Sequence, residues 1–262
     1  MVNLKSFNQF INEGLESTID FVDSCVADIL KELTFMLPSD KIDGATPIDR
    51  DFSKLNTLEY NDGEYKVDVE VFFRLEDDLD ISKDVHFSKI PWEEINYNHY
   101  GFAIDANMII NQLDLIIPKV EVHLILNKNM IPKLYKELKF RLIDIITHEL
   151  NHTQQIGMNR RPFNSRPTSS KERSKAGVFG YLVLPEEIES MVEGMYVRSK
   201  KQGVPIDKIF DKYLVPFIMS KSLTKEEYLK VLQIWIYHTL ENYPDAKLSL
   251  EDDKIRKIVN SI

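Results

Sequence analysis

The sequence predicts an α+β fold, with a small mixed or antiparallel sheet beside one long helix and a mainly helical remainder. Three observations predict it. Residues 64–75 and 119–126 alternate apolar and polar side chains at the two-residue period of a strand. Residues 133–156 carry Leu134, Leu138, Leu142, Ile145 and Ile146 on one stripe at helical spacing. From Pro185 onward the chain reads as successive amphipathic helices.

In chain order, Leu4, Phe7, Phe10 and Ile11 are spaced as one face of a short helix. Residues 14–37 read as a second helix, with apolar positions at Leu15, Ile19, Val22, Val26, Ile29, Leu30 and Leu33; Pro38-Ser39-Asp40 ends it. Residues 40–63 are dense in Asp, Gly, Pro and Asn and read as loop. In the strand over 64–75, Tyr65, Val67, Val69 and Val71 share a face. Asp77-Asp78 reads as a solvated turn, because it lacks the Gly and closing Glu of a calcium loop.

Residues 99–105 are a weaker strand candidate than 119–126. The apolar stretch 107–117 reads as a short helix ended by Pro118. His123 falls on the polar side of the 119–126 alternation and reads as a surface residue. Pro132 suits the first turn of the long helix. Residues 157–180 are rich in Arg, Ser, Pro and Lys and read as a surface loop, with a basic flap over a cleft as the functional alternative. Helices are expected over 205–219 and 225–243, with Trp235 and Ile236 in the core.

Composition bounds the function. The chain has 262 residues, enough for one large domain or two small ones, and 43% hydrophobic with 29% charged residues is ordinary for a globular protein. A net charge of -9 argues against nucleic-acid and anionic-membrane partners. Cys25 is the only cysteine, so no intramolecular disulfide forms. No apolar run approaches the length of a membrane span.

The long helix carries Thr147-His148-Glu149-Leu150-Asn151-His152, an H-E-x-x-H run. Positions i and i+4 lie one turn apart, so His148 and His152 can direct two imidazoles at one metal ion. Glu149 follows the first ligand, where a general base must sit to reach a metal-activated water. The apolar stripe thickens towards His148, which predicts burial, and a buried His pair needs a partner. A third ligand is expected downstream. The helix opening at Pro185 carries Glu186, Glu187, Glu189 and Glu193 beside Ile188, Met191, Val192 and Met195. Acids in a first helical turn are also expected from the helix dipole alone.

These residues resemble the gluzincin metallopeptidases, which pair H-E-x-x-H with a downstream helix bearing a Glu ligand in an E-x-x-A or E-x-x-S form. Glu187-Ile188-Glu189-Ser190 fits that form, over residues 119 to 197 at most. The resemblance implies a zincin-like fold and one Zn2+ held by His148, His152 and Glu187. It implies cleavage of a peptide or protein substrate by attack of a zinc-bound water, with Glu149 as catalytic base. The family often has an Asp one position after the small residue; here Met191 stands there, so the His ring must be oriented from elsewhere. Glu189 as ligand, with Glu193 behind it, is the rival. Tyr181, Tyr196 and His238 are the candidates for oxyanion stabilisation. An edge strand beside the active-site helix is expected to pair with substrate, and 119–126 is placed by chain order to be that strand.

Residues 1–13 resemble the head-targeting peptides of large tailed bacteriophages, with Ile11-Asn12-Glu13 as the cut and Gly14 as the new N-terminus. The other reading is a first helix packed on the body. The expected organisation is a removable peptide over 1–13 and a single domain over 14–262, divided into a helix-plus-sheet part (14–130) and a mainly helical part (131–262). A phage origin would place the protein in the virion interior or the host cytoplasm, and another origin in the cytoplasm; no secretory signal is read. The rivals to a peptidase are a non-enzymatic phage structural or internal head protein and an injected effector with one host target. The oligomeric state is left open.

Overall fold

The computed structural model describes residues 7–36, 50–60, 63–76, 100–109, 118–127, 135–155 and 176–249. The fold is mixed α+β and mostly helical. Helix α1 spans Phe7–Met36 and strands β1 and β2 span Arg50–Tyr60 and Gly63–Glu76. Strands β3 and β4 span Phe102–Ile109 and Lys119–Asn127. Helix α2, Tyr135–Gln154, is followed by α3 (Gly177–Leu182), α4 (Pro185–Gln202), α5 (Ile206–Met219) and α6 (Lys225–Asn242).

The four strands form one mixed sheet in the order β1-β2-β4-β3. The pairs β1–β2 and β3–β4 are antiparallel, and β2–β4 is parallel. The predicted alternation is realised in β2, where Val67, Val69 and Val71 are fully buried, and in β4, where Val120, Val122 and Leu124 are buried. Helices α1 and α2 pack on this apolar layer, and Val22, Cys25, Val26 and Ile29 of α1 join the same core as Leu142 and Ile146 of α2. Each such aliphatic side chain, removed from water, stabilises the fold by about 1.5–3 kcal/mol.

Several expectations are corrected. One helix, 30 residues long, replaces the two expected before residue 37. A single Gly such as Gly14 costs about 1 kcal/mol in a helix, too little to divide one this long. Strand β1 lies in the expected loop over 40–63. Its polar sequence gives little alternation, but it pairs along its whole length with β2, and the register joins Tyr60 to Gly63 across two residues. Asn61 and Asp62, between them, lie outside the described residues. Strand β3 begins later than expected and takes Asn107, Met108 and Ile109 from the stretch whose apolar character suggests a helix; pairing with β4 outweighs their local pattern. The remainder of that expected helix, residues 110–117, lies outside the described residues.

Strand β4 is interior, between β2 and β3, so it is not the edge strand the chain order suggested. Among the described residues the edge strand beside α2 is β3. The basic segment 156–175 lies outside the described residues, but α3 occupies the end of the expected loop. There Leu182 is buried and Val178 and Phe179 pack on the core, which explains the helix.

The helical half follows the expected boundaries. Helix α4 starts with Pro185 in its first turn and ends at Gly203, whose φ of 67° is the left-handed conformation of a helix C-terminus. A capping box between Thr224 and Glu227 starts α6. Trp235 is fully buried, and its indole N–H donates to the Leu182 carbonyl at 3.1 Å. Among the described residues no helix is long and apolar enough to cross a membrane.

Candidate metal centre

The C-terminal half of α2 lies between β3 and α4, and its last two turns are buried in spite of their polarity. His148, Glu149, Asn151, His152 and Gln155 are all at most 8% exposed. The one-turn spacing predicted for the two histidines is realised, with ring centroids 4.6 Å apart and Nε2 atoms 3.0 Å apart. Helix α4 enters from the side and brings Glu187, from its first turn, to the same point. Glu187 is 0% exposed, and its Oε2 lies 3.6 Å from His148 Nε2 and 3.4 Å from His152 Nε2.

These three separations test whether a metal fits. A tetrahedral ion with bonds of about 2.0–2.1 Å holds its donors roughly 3.3 Å apart. The observed spacings of 3.0, 3.6 and 3.4 Å bracket that edge length. Two imidazole nitrogens and a carboxylate oxygen are also a donor set suited to a divalent ion of the zinc kind. The buried group His148, His152 and Glu187 can therefore hold a metal ion.

Burial and close charges shift all three of the titratable groups Glu187, His152 and Glu149. Burial opposes charge on Glu187, but the hydrogen bond and charge of His152, the charge of His148 and the Tyr181 hydroxyl outweigh it and hold the carboxyl well below its usual range. Burial also opposes charge on His152. A hydrogen bond to Glu187 and the charges of Glu149 and Glu187 prevail, and raise it to about 9. Glu149 lies just outside the donor set, with Oε1 3.7 Å from His148 Nε2. Burial pushes its carboxyl up to about 7, against the lowering effect of His152 and of a hydrogen bond from the Met108 backbone N–H on β3.

Among the described residues the donor group comprises His148, His152 and Glu187, so Glu187 and not Glu189 completes it. Glu189 instead accepts from Gln155 Nε2 at 3.3 Å. Glu193 does not stand behind Glu189; it accepts from Asn151 at 2.5 Å and from the Tyr243 hydroxyl at 3.3 Å. Of the three oxyanion candidates, Tyr181 is at the site, where its hydroxyl is one of the groups that hold the Glu187 carboxyl down. Burial and the neighbouring Glu187 charge push its hydroxyl well above the usual range. Tyr196 donates to Asp245 at 2.6 Å and stacks on Tyr243. His238 lies on α6, outside the donor group. His123 is half-buried on β4 and stacked on Phe72, as a strand residue rather than a ligand.

Sequence reasoning missed the groups that orient His152. Its Nδ1 lies 2.7 Å from Gln155 Oε1 and 3.2 Å from Ser190 Oγ. The signal was present, since Gln155 is three residues beyond His152 on the same helical face. Also missed was a buried ionic seam further along the two helices. There Asp144 accepts from Arg141 at 2.6 Å and from Arg198 at 3.2 Å.

No family model matches the chain, and no curated protein or solved structure matches it.

Proposed function

We propose that this protein is a zinc-dependent hydrolase with a gluzincin-like site and a zincin-like fold, and that it cleaves peptide bonds. The observation that carries the reading is the buried convergence of His148, His152 and Glu187 at tetrahedral spacing, with the Glu149 carboxylate beside the donor set rather than in it. His148, His152 and Glu187 would hold the ion. When bound, zinc supplies Lewis acidity, polarising a carbonyl and bringing the pKa of water towards about 7.

The rest of the chemistry belongs to the chain. Glu149, raised to about 7 by burial, is poised to accept a proton from the attacking water. The same carboxyl can then deliver that proton to the amide nitrogen as the C–N bond breaks. Met108 of β3, whose backbone N–H helps to lower the Glu149 carboxyl, places that carboxyl beside the strand that ends the described sheet. That edge strand supports an extended substrate lying antiparallel along it, with backbone hydrogen bonds for affinity.

The test combines metal analysis with cleavage of a peptide library. The expected result is one zinc per chain, cleavage lost on chelation, and a Glu149→Gln variant that keeps the metal but cleaves about 10²–10⁴-fold more slowly. A chain that purifies without metal and takes up none, or an E149Q variant with undiminished cleavage, overturns the proposal. Tightly held zinc with no cleavage of any peptide would favour the non-enzymatic structural protein.

A further inference from the structure

We propose that Gln155 is the residue that positions His152 for metal binding, as the last link of a hydrogen-bond chain that begins at the buried carboxylate of Glu193. The inference rests on the metal-centre reading above and adds to it the means by which one ligand is held in the correct tautomer.

A glutamine amide has a donating end and an accepting end, and its partners decide which way it faces. At Gln155 they leave one choice. The Nε2 end lies 3.0 Å from the Glu186 backbone carbonyl oxygen and 2.9 Å from Asn151 Oδ1. A backbone carbonyl only accepts, so this end must be the NH2 group. The opposite end, Oε1, is 2.7 Å from His152 Nδ1, and therefore Nδ1 carries a hydrogen and donates it. The other ring nitrogen, Nε2, is the atom that faces His148 and Glu187. With Nδ1 held as the donor, the neutral ring keeps its lone pair on Nε2, the nitrogen a metal needs.

The polarity of Gln155 is itself imposed from behind. Asn151 Nδ2 donates to Glu193 Oε2 at 2.5 Å, and Glu193 is 2% exposed. The Tyr243 hydroxyl donates to the same oxygen at 3.3 Å, which marks it as an acceptor. Asn151 must then present Oδ1 to Gln155, and each link sets the direction of the next. The chain also crosses between the two helices that supply ligands, because Gln155, just past the end of α2, bonds to the Glu186 carbonyl of α4, one residue before Glu187. A neutral amide does this without adding a further negative charge next to Glu149 and Glu187. It stands in for the carboxylate that the H-E-x-x-H resemblance led one to expect at Met191.

The experiment uses the full chain, zinc alone as the probe, and three proteins: wild type, Gln155→Leu and Gln155→Asn. Zinc affinity is read by competition with a chromophoric chelator. The tautomer is read from the imidazole N–H resonances of the zinc-loaded protein by nitrogen-correlated NMR. Wild type is expected to show a slowly exchanging Nδ1–H on His152. Q155L is expected to bind zinc about 10–100-fold more weakly and to lose that protected proton. Q155N keeps an amide but is one methylene shorter, so it draws the carbonyl away from the ring; the same losses are expected, and it carries the comparison if Q155L does not fold. Variants that bind zinc within about twofold of wild type and keep the protected proton overturn the inference. So do variants whose melting temperature falls while zinc affinity does not, which would mark Gln155 as structural. A wild type that binds no zinc overturns the metal-centre reading and this inference together, whereas a zinc-binding wild type with unaffected variants overturns only this one.

Discussion

Gly194 lies against Asp144: a Cβ placed on Gly194 would come within 2.6 Å of the Asp144 backbone oxygen and 3.0 Å of its Oδ1. Helix α4 therefore rests on the backbone of α2 at this point, four residues after Ser190, which meets Asn151 and His152 one turn nearer the donor group. The two small residues set how closely Glu187 can approach the histidines.

Gly194→Ala separates packing from helix propensity. On propensity alone Ala would stabilise a helix by about 1 kcal/mol relative to Gly. Against a fixed backbone oxygen the extra methyl must instead push the helices apart, and overpacking costs about 1–3 kcal/mol. The expected outcome is a net loss of stability of up to about 2 kcal/mol in urea titration, with weaker zinc binding because Glu187 moves with its helix. A stabilised variant would show that the approach of α2 and α4 relaxes freely.

Asp144→Ala tests the ionic seam beside that contact. Asp144, Arg141 and Arg198 are 4%, 6% and 3% exposed, and Arg198 also donates to Glu137 at 2.6 Å. Removing the acid leaves two guanidinium groups in a buried seam with one carboxylate fewer. The cost of breaking a buried pair in this way is about 3–5 kcal/mol, with Glu137 holding the loss towards the lower figure. Denaturation by urea at low and high salt measures it, and a loss that vanishes in high salt would mean that water already screens the seam.

The donor group was legible in sequence because its ligands are fixed by local spacing. His148 and His152 are one turn apart, and Glu187 sits in a first turn announced by Pro185. What was not legible depends on contacts between elements distant in sequence. Strand β1 exists because β2 pairs with it, not because of its own pattern. The interior position of β4 follows from a parallel pairing with β2, to which chain order is blind. Gly194, Asn151 and Glu193 carry no motif, and only the register of α2 against α4 makes them matter. The expectation that Glu193 would stand behind Glu189 failed for the same reason: helical spacing gives a face but not what the face meets.

Two single substitutions discriminate the third ligand. Glu187→Gln keeps the shape of the side chain but removes its charge from between the two imidazoles, so zinc affinity is expected to fall by more than the ~100-fold that loss of a supporting group costs. Glu189→Gln is expected to change affinity by less than about tenfold, since Glu189 is half-buried and bonds to Gln155 rather than entering the donor set. Chelator competition reads both. The opposite ranking would return the ligand role to Glu189.

The His152 shift fixes the sign of the pH dependence. Raised to about 9 in the metal-free protein by Glu187 and Glu149, His152 is protonated at neutral pH. A metal ion must displace that proton, so zinc binding at pH 7 is expected to release about one proton per ion from this residue. Apparent affinity should rise as pH increases towards about 9 and then level off, which calorimetry in buffers of different ionisation enthalpy measures directly. Stability of the metal-free protein should run the other way. A histidine whose folded value exceeds its unfolded value of about 6.5 contributes stability that is complete below that pH and is lost as pH rises through about 9. Melting temperature without metal should therefore fall between about pH 6.5 and pH 9, while the zinc-loaded protein, in which the ion has replaced the proton, loses this dependence. Parallel melting curves with and without zinc across that range would show that His152 does not meet the ion.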